Sequence, residues 1–409
     1  MKALPLVFSC LPFFVYADGA NEALLKTLLE NGAISAAQYE TLSEVDREKN
    51  ESDAFGGLKL KTPNGNSVHI GGRVEAHFAA YQDDQRDMGD GAILRRARFF
   101  IKGKVDGNWL YKLDYDLVDG GMKGLKDAYI GYRRGDGVEL YAGNYRVPFS
   151  LEFQANPHAN TFMERALPFA FAPGWRVGAA ARIPGENWLL EGGVFGDRPA
   201  RANSAADGEA VGALRLTGRP IRSGEDFLHV GAAVLYGTLG DQPQLRYRSG
   251  PESRTSSVNL VDTGAINGAS DYFQSGFEAS ITANRFNAQA EYIALDIHRE
   301  PSDLQFSGWY LNSSVFLTND RRRYKSGRYI PVKPNQPIGR GGVGAWELAA
   351  RLSSIDLSDG DIDGGKLKEA TLALNVYATQ HVRFSGEYIY VLSGDDRPAV
   401  AQLRAEWVF

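Results

Sequence analysis

The stretch Ile93 to Val105, ILRRARFFIKGKV, constrains the fold more than any other part of the chain. Residues two apart on a β-strand share a face. Ala97, Phe99, Ile101, Gly103 and Val105 therefore point one way, and Arg96, Arg98, Phe100, Lys102 and Lys104 point the other. One face is apolar; the other carries four cations. A soluble sandwich would accommodate one such strand, but the alternation recurs. Trp109, Tyr111, Leu113, Tyr115 and Leu117 are set against Lys112, Asp114 and Asp116. The closing segment sets Ala399, Leu403, Ala405, Trp407 and Phe409 against Gln402, Arg404 and Glu406. Long alternating strands with aromatics near their ends predict an all-β fold, a transmembrane antiparallel β-barrel with lipid on its apolar side and a wet lumen inside.

About 16 such segments can be counted, with boundaries good to a few residues. They begin near Ser67, Ala92, Asn108, Met122, Gly137, Trp175, Asn187, Glu209, Asp226, Asp271, Phe286, Asp303, Val343, Lys366, His381 and Ala399. An even count puts both ends of the barrel sequence on one side. If that side is periplasmic, Asp106-Gly107-Asn108, Gly135-Asp136-Gly137, Pro184 to Asn187 and Thr379-Gln380 are tight periplasmic turns, and the insertions 147–174 and 241–270 face outward. Asn319 to Gly342 breaks the pattern, being long yet periplasmic. It is also basic, with Arg321, Arg322, Arg323, Lys325, Arg328, Lys333 and Arg340 against Asp320.

No apolar run is long enough for a spanning helix, and mean hydropathy is −0.31. Lys2, the apolar Leu4 to Tyr16, and Val15-Tyr16-Ala17 before Asp18 predict a signal peptide over 1–17. A lipoprotein site ending at Cys10 would leave a very short apolar region and strand another beyond it. Cys10 is the single cysteine, so cleavage leaves no thiol chemistry, and loss of Lys2 takes the formal charge from −5 to −6. An acidic whole argues against nucleic acid as a partner but says little about a lumen, where local charge decides the field. Residues 18–55 read as a helical periplasmic segment and linker. Leu24, Leu25, Leu28 and Leu29 recur at helical spacing, Gly32 is a stop, and Ser35 with Gln38 forms a capping box. The barrel is expected over 56–409.

The insertion Pro148 to Pro173 is too apolar for a solvated loop. Phe149, Leu151, Phe153, Phe162, Met163, Leu167, Phe169 and Phe171 need something to pack on, and the natural place is inside the barrel, narrowing it. Cations form a second set: Arg73, Arg96, Arg98, Lys102 and Lys104 on lumen faces, Arg246 and Arg248 in a long outer loop, and the basic segment after Asn319. Guanidinium offers a planar fork of donors that suits phosphate oxygens, and rows of charge set pore selectivity. Carboxylates such as Glu75, Asp114, Asp116 and Asp127 compete for these cations. The six histidines lack metal-ligand or triad spacing, which argues against an enzyme and against a metal or other cofactor. Asp359 to Gly364 starts like a calcium loop but has Ala370 where a bidentate Glu is needed.

From about Gly56 onward the chain resembles the phosphate- and polyphosphate-selective porins. The resemblance is carried by His69-Ile70-Gly71-Gly72-Arg73, Leu94-Arg95-Arg96-Ala97, Lys126-Asp127-Ala128-Tyr129, Thr161-Phe162-Met163-Glu164-Arg165, Phe286 to Tyr292, Gly344 to Leu348 and Trp407-Val408-Phe409. It implies a homotrimer in the outer membrane of a Gram-negative bacterium, with small anions, phosphate or polyphosphate, as cargo. In that family an inward-folded third outer loop forms a constriction, here 148–173 with Phe149, Phe153, Glu164 and Arg165. Arg73, Arg95 and Arg96 look like wall arginines, Arg246 and Arg248 like ladder residues, and Lys325 and Lys333 like a periplasmic lysine group. Strict alternation turns Arg95 toward lipid unless a bulge re-aims it. Phosphate-selective members carry a lysine where this chain has Phe153, so arginine alone would serve the constriction. Two other readings remain open: a porin for another small solute, in which the arginines face carboxylates and Phe149 and Phe153 make a greasy waist, and an anchor whose N-terminal helices bind cell wall or a partner.

Overall fold

The computed structural model describes residues 57–199, 208–240 and 245–409, together with 26–31, 33, 35, 38 and 39. The expected signal peptide and most of the segment 18–55 lie outside the described residues. Within that segment 26–30 is helical, and the Ser35 backbone N–H donates to Gln38 Oε1 at 2.9 Å while the Gln38 N–H donates to Ser35 Oγ at 3.3 Å. That reciprocal pair is a capping box.

Sixteen antiparallel strands close into a barrel. In chain order they are Ser67–Gln82, Gly91–Val105, Trp109–Asp116, Leu125–Arg133, Glu139–Arg146, Trp175–Pro184, Trp188–Phe195, Ala210–Ser223, Asp226–Thr238, Ala269–Ala283, Phe286–Arg299, Leu304–Phe316, Ala345–Asp359, Ile362–Tyr377, Val382–Ser393 and Ala399–Val408. Each pairs with its chain neighbours, and closure comes from the first strand on the last, with Arg73 opposite Val408 and Gln82 opposite Ala399. A short strand, Leu58–Lys61, adds to the beginning of the first. Every expected segment is present. The largest displacement of a start is at Lys366, because the hairpin turns tightly at Gly360 and the next strand begins at Ile362.

Burial follows the two-residue period. Val74, Phe78, Leu94, Phe99, Leu113, Leu403 and Trp407 lie on the exposed outer face, whereas Glu75, His77, Arg404 and Glu406 are buried inside. An apolar outside and a charged inside invert the order of a soluble protein, as a lipid-facing barrel requires. Both ends of the sheet lie at one end of the barrel. Five of the short connections, 106–108, 134–138, 185–187, 224–225 and 284–285, lie at that same end by strand parity.

The interior is filled by three inserted segments. From the end opposite the termini, 147–174 turns inward, and Phe149, Leu151, Phe153, Phe162, Met163, Leu167 and Phe171 are all buried. Phe149, Leu167 and Phe171 join a core with Leu235, Ile293, Leu295, Phe306 and Ile355 of the wall and Val261 and Ile266 of the segment 239–268. The greasy loop thus finds its partner on the lumen face of later strands. Two wall glycines allow the close approach: a Cβ on Gly276 would meet the Phe149 ring at 3.0 Å, and one on Gly308 would meet Pro168 at 3.0 Å. From the terminal end, 317–344 sends in a hairpin that pairs Arg323–Lys325 with Arg328–Ile330. Its two-residue turn has positive φ at both Ser326 (51°) and Gly327 (75°), the geometry that matches strand twist.

Candidate functional site: the arginine throat

One side of the lumen anchors the inserted loop. Glu291 accepts the N–H groups of Leu151 (2.9 Å) and Glu152 (2.8 Å), Glu387 accepts that of Met163 (2.6 Å), and Glu252 accepts that of Leu167 (3.0 Å). Buried carboxylates thereby satisfy backbone donors of an irregular segment that would otherwise be orphaned. Arg351 pairs with Glu252 and lies 4.1 Å from the Phe162 ring centroid. Arg322 grips Glu347 through two bonds of 2.7 and 2.5 Å and donates to the Ala159 carbonyl at 2.8 Å. It joins wall, basic hairpin segment and loop. Arg322→Ala leaves Glu347, which is fully buried, with only neutral partners. Breaking a buried pair in this way costs about 3–5 kcal/mol. We expect the variant to lose its folded-barrel mobility on SDS gels after heating to a clearly lower temperature than the wild type requires.

The cluster around Arg73, Arg95 and Arg96 also moors the loop. Ladder register shifts by one residue at this point, Glu75 facing Arg96 and Ala76 facing Leu94, so Arg95 is the extra residue of a bulge. The bulge turns its guanidinium inward, where it grips Glu164 at 2.5 and 3.0 Å. Arg96 pairs with Glu75 and lies 3.6 Å from Glu164; Arg73 pairs with Glu75 at 2.9 Å and donates to Asn156 at 2.9 Å. Burial pushes the Glu164 carboxyl up, but Arg95 and Arg96 outweigh it and hold the group well below the usual carboxylate range. These three arginines are largely neutralised by Glu75 and Glu164.

A different set lines the opposite side. Arg146 ends one strand and Trp175 begins the next; they are cross-strand partners at the base of the insertion, with the guanidinium carbon 4.6 Å from the indole centroid. Arg146 donates to the carbonyls of Phe153 (2.7 Å), Gln154 (3.0 Å) and Ala155 (3.1 Å). Arg165 donates to the Glu152 carbonyl at 3.2 Å and lies 4.6 Å from the Phe169 ring and 5.9 Å from Phe153. Arg98 and Lys126 also approach Trp175, at 5.8 and 5.5 Å, but are paired with Asp116 and Asp119. Lys112 is paired with Asp127. Among the described residues, Arg146, Arg165 and Arg328 form no ion pair with a carboxylate. Carbonyl oxygens and aromatic faces hold Arg146 and Arg165, leaving their positive charge under-compensated. Burial, and then the neighbouring Arg146, push Arg165 well below its ordinary value.

The sequence-derived candidates therefore separate. Arg73, Arg95 and Arg96 come together on Glu75 and Glu164, while Arg98 stands beside Trp175. Lys102 sits 5.2 Å above Phe100 on the same strand face. Arg246 pairs with Asp262 and is half exposed; Arg248 is exposed nearby, and Lys325 and Lys333 are exposed in the 317–344 segment. Phe149 is sealed in the core and forms no waist. Phe153, also buried, is the plate between Arg146 and Arg165. Sequence reasoning passed over Arg146 and Trp175. The signal was available: pairing the two strands that flank the insertion sets them opposite one another.

A closed 16-stranded barrel with a charged interior and inward-folded loops defines the porin class of outer-membrane protein. The family model of the phosphate-selective porins O and P matches residues 68–408, and the chain belongs to that family. Its place is the outer membrane of a Gram-negative bacterium. A protein of Caulobacter vibrioides is 31% identical over 317 residues, 74% of this chain; the match spans 63% of that relative's length. Among solved structures, OmpT of Vibrio cholerae superposes with a TM-score of 0.56 at 9% identity, over 86% of this chain and all of that one. The anion-selective porin of Comamonas acidovorans gives 0.54 at 14% identity, over 84% of this chain and all of that one. At such identities these two speak for the fold.

Proposed function

We propose that this chain forms a water-filled passage for small anions, with phosphate or polyphosphate the first candidates, and that it works as a homotrimer. The observation that carries the reading is the set Arg146, Arg165 and Arg328, none of them paired with a carboxylate among the described residues, the first two held by carbonyls and aromatic planes. Guanidinium groups kept in this state offer their remaining N–H donors to a passing oxyanion, which sheds part of its hydration shell in exchange. Arg73, Arg95, Arg96, Phe149, Phe153 and Glu164 set the position of the loop that narrows the passage. Arg98 and Lys102 continue the positive wall, and Arg248, Lys325 and Lys333 add to the field at the mouths, where Arg246 is offset by Asp262. The alternative of another small solute keeps its arginines on carboxylates at Arg73, Arg95 and Arg96 but loses its greasy waist, since Phe149 and Phe153 are buried.

The test is the zero-current potential of the reconstituted protein across a salt gradient, followed by titration of chloride current with phosphate. Anion preference and saturable block are the expected results; cation preference overturns the proposal. Arg246→Ala is expected to leave that potential within experimental error, because an exposed, paired and screened charge contributes little.

A further inference from the structure

Beside Arg146, on the terminal side of the inserted loop, lies a cavity of about 250 Å³. Its cations are Lys112, Arg146 and Arg328, and its one lining carboxylate is Asp127, which is already shared between Lys112 (2.5 Å) and the Trp175 indole N–H (2.8 Å). Lys112 also lies 3.5 Å from Asp114, so three positive groups meet two carboxylates and the excess of one rests on Arg146 and Arg328. Four tyrosines, Tyr129, Tyr141, Tyr145 and Tyr329, share the remaining wall with Gln154, Asn156, Ile330 and Pro331. Tyr141 and Tyr145 stack with centroids 4.9 Å apart and planes 15° from parallel, and Tyr129 meets both edge-on at 5.0 and 5.5 Å. The Tyr141 hydroxyl donates to Glu139, which fixes the stack from one end. Orthophosphate needs no such wall and fills a small part of such a space. A benzene ring fits an apolar cavity of about 150 Å³, so this volume holds a ring together with a charged head group.

We infer that this cavity binds an organic anion consisting of a planar ring bearing one phosphate or carboxylate, the anionic group on Arg146 and Arg328 and the ring against the tyrosines. The inference rests on the anion-passage reading above and narrows its substrate class. Rings attract one another in offset or edge-on arrangements, and both already occur among Tyr129, Tyr141 and Tyr145.

The experiment compares orthophosphate, cyclohexyl phosphate and phenyl phosphate as blockers of chloride current through the full-length protein in planar bilayers. Phenyl phosphate is expected to block at a concentration at least tenfold below orthophosphate and several-fold below cyclohexyl phosphate, which has similar size and charge but no ring face. Tyr145→Leu should bring the phenyl-to-cyclohexyl ratio toward one, whereas Tyr145→Phe should preserve it. The wild-type comparison stands even if a variant fails to fold. Block by orthophosphate with no gain for phenyl phosphate overturns this inference and leaves the anion passage intact. Equal block by phenyl and cyclohexyl phosphate overturns the aromatic assignment. Absence of block by all three overturns this inference and phosphate as the cargo, while the zero-current potential decides the anion passage separately.

Discussion

Arg146→Ala is expected to raise the phosphate concentration needed for half-block of chloride current by roughly ten- to a hundredfold. A hydrogen bond to a charged group contributes about 1.5–3 kcal/mol net, and each 1.4 kcal/mol is tenfold in affinity. The same change removes the one guanidinium nitrogen that the carbonyls of Phe153, Gln154 and Ala155 share, so loop disorder must be separated from lost charge. Arg146→Lys makes that separation. An ammonium keeps the positive field but cannot reproduce the planar fork or its stacking on Trp175. The lysine variant should retain anion preference in the zero-current potential while losing much of the phosphate affinity. Equal half-block concentrations in wild type and both variants would place the oxyanion elsewhere in the lumen.

The second large effect concerns Glu291, which lies outside the throat and acts through the loop. Its carboxylate accepts the N–H groups of Leu151 and Glu152 at the start of the short helix Leu151–Gln154, and a hydroxyl bond from Tyr310 holds it in place. Glu291→Ala leaves both N–H groups buried without acceptors, at about 1–3 kcal/mol each. The loop then gains freedom to leave the wall. Single-channel conductance is expected to rise by about half or more, with added open-channel noise, and anion preference should fall as Arg165 loses its fixed position. Glu291→Gln, which keeps one acceptor oxygen, should lie between the two. A conductance trace indistinguishable from wild type in the alanine variant would show that the buried apolar groups and the remaining polar anchors, Glu252, Glu387 and Arg95 among them, hold the loop without Glu291.

Barrel architecture was legible because it depends on a local rule. Alternation at period two needs only a strand's own residues, and Ile93 to Val105 displays it without reference to any other segment. Turn chemistry such as Asp106-Gly107 and Gly135-Asp136-Gly137 then marks where strands reverse, and parity of the count assigns each turn to one end. The inward fold of 147–174 was legible for a similar reason, since eight large apolar side chains in an outer loop have no stable place in water.

Charge partnership was not legible, because it is settled between residues far apart in the chain. Arg95 needed a bulge to reach Glu164, 69 positions away. Arg96 sits in the same row as Arg98, but only the fold shows that Glu75 and Glu164 claim one and Asp116 the other. Phe153 looked like a departure from an arginine and lysine pathway; in the structure its ring lies between two guanidinium groups. The amino-acid sequence by itself determined that this chain is a membrane barrel with a loop inside, because hydrophobic burial acts face by face. Which cations are left for a solute was decided only by tertiary structure, because Coulombic pairing depends on distances of a few ångströms that no pattern along the chain records.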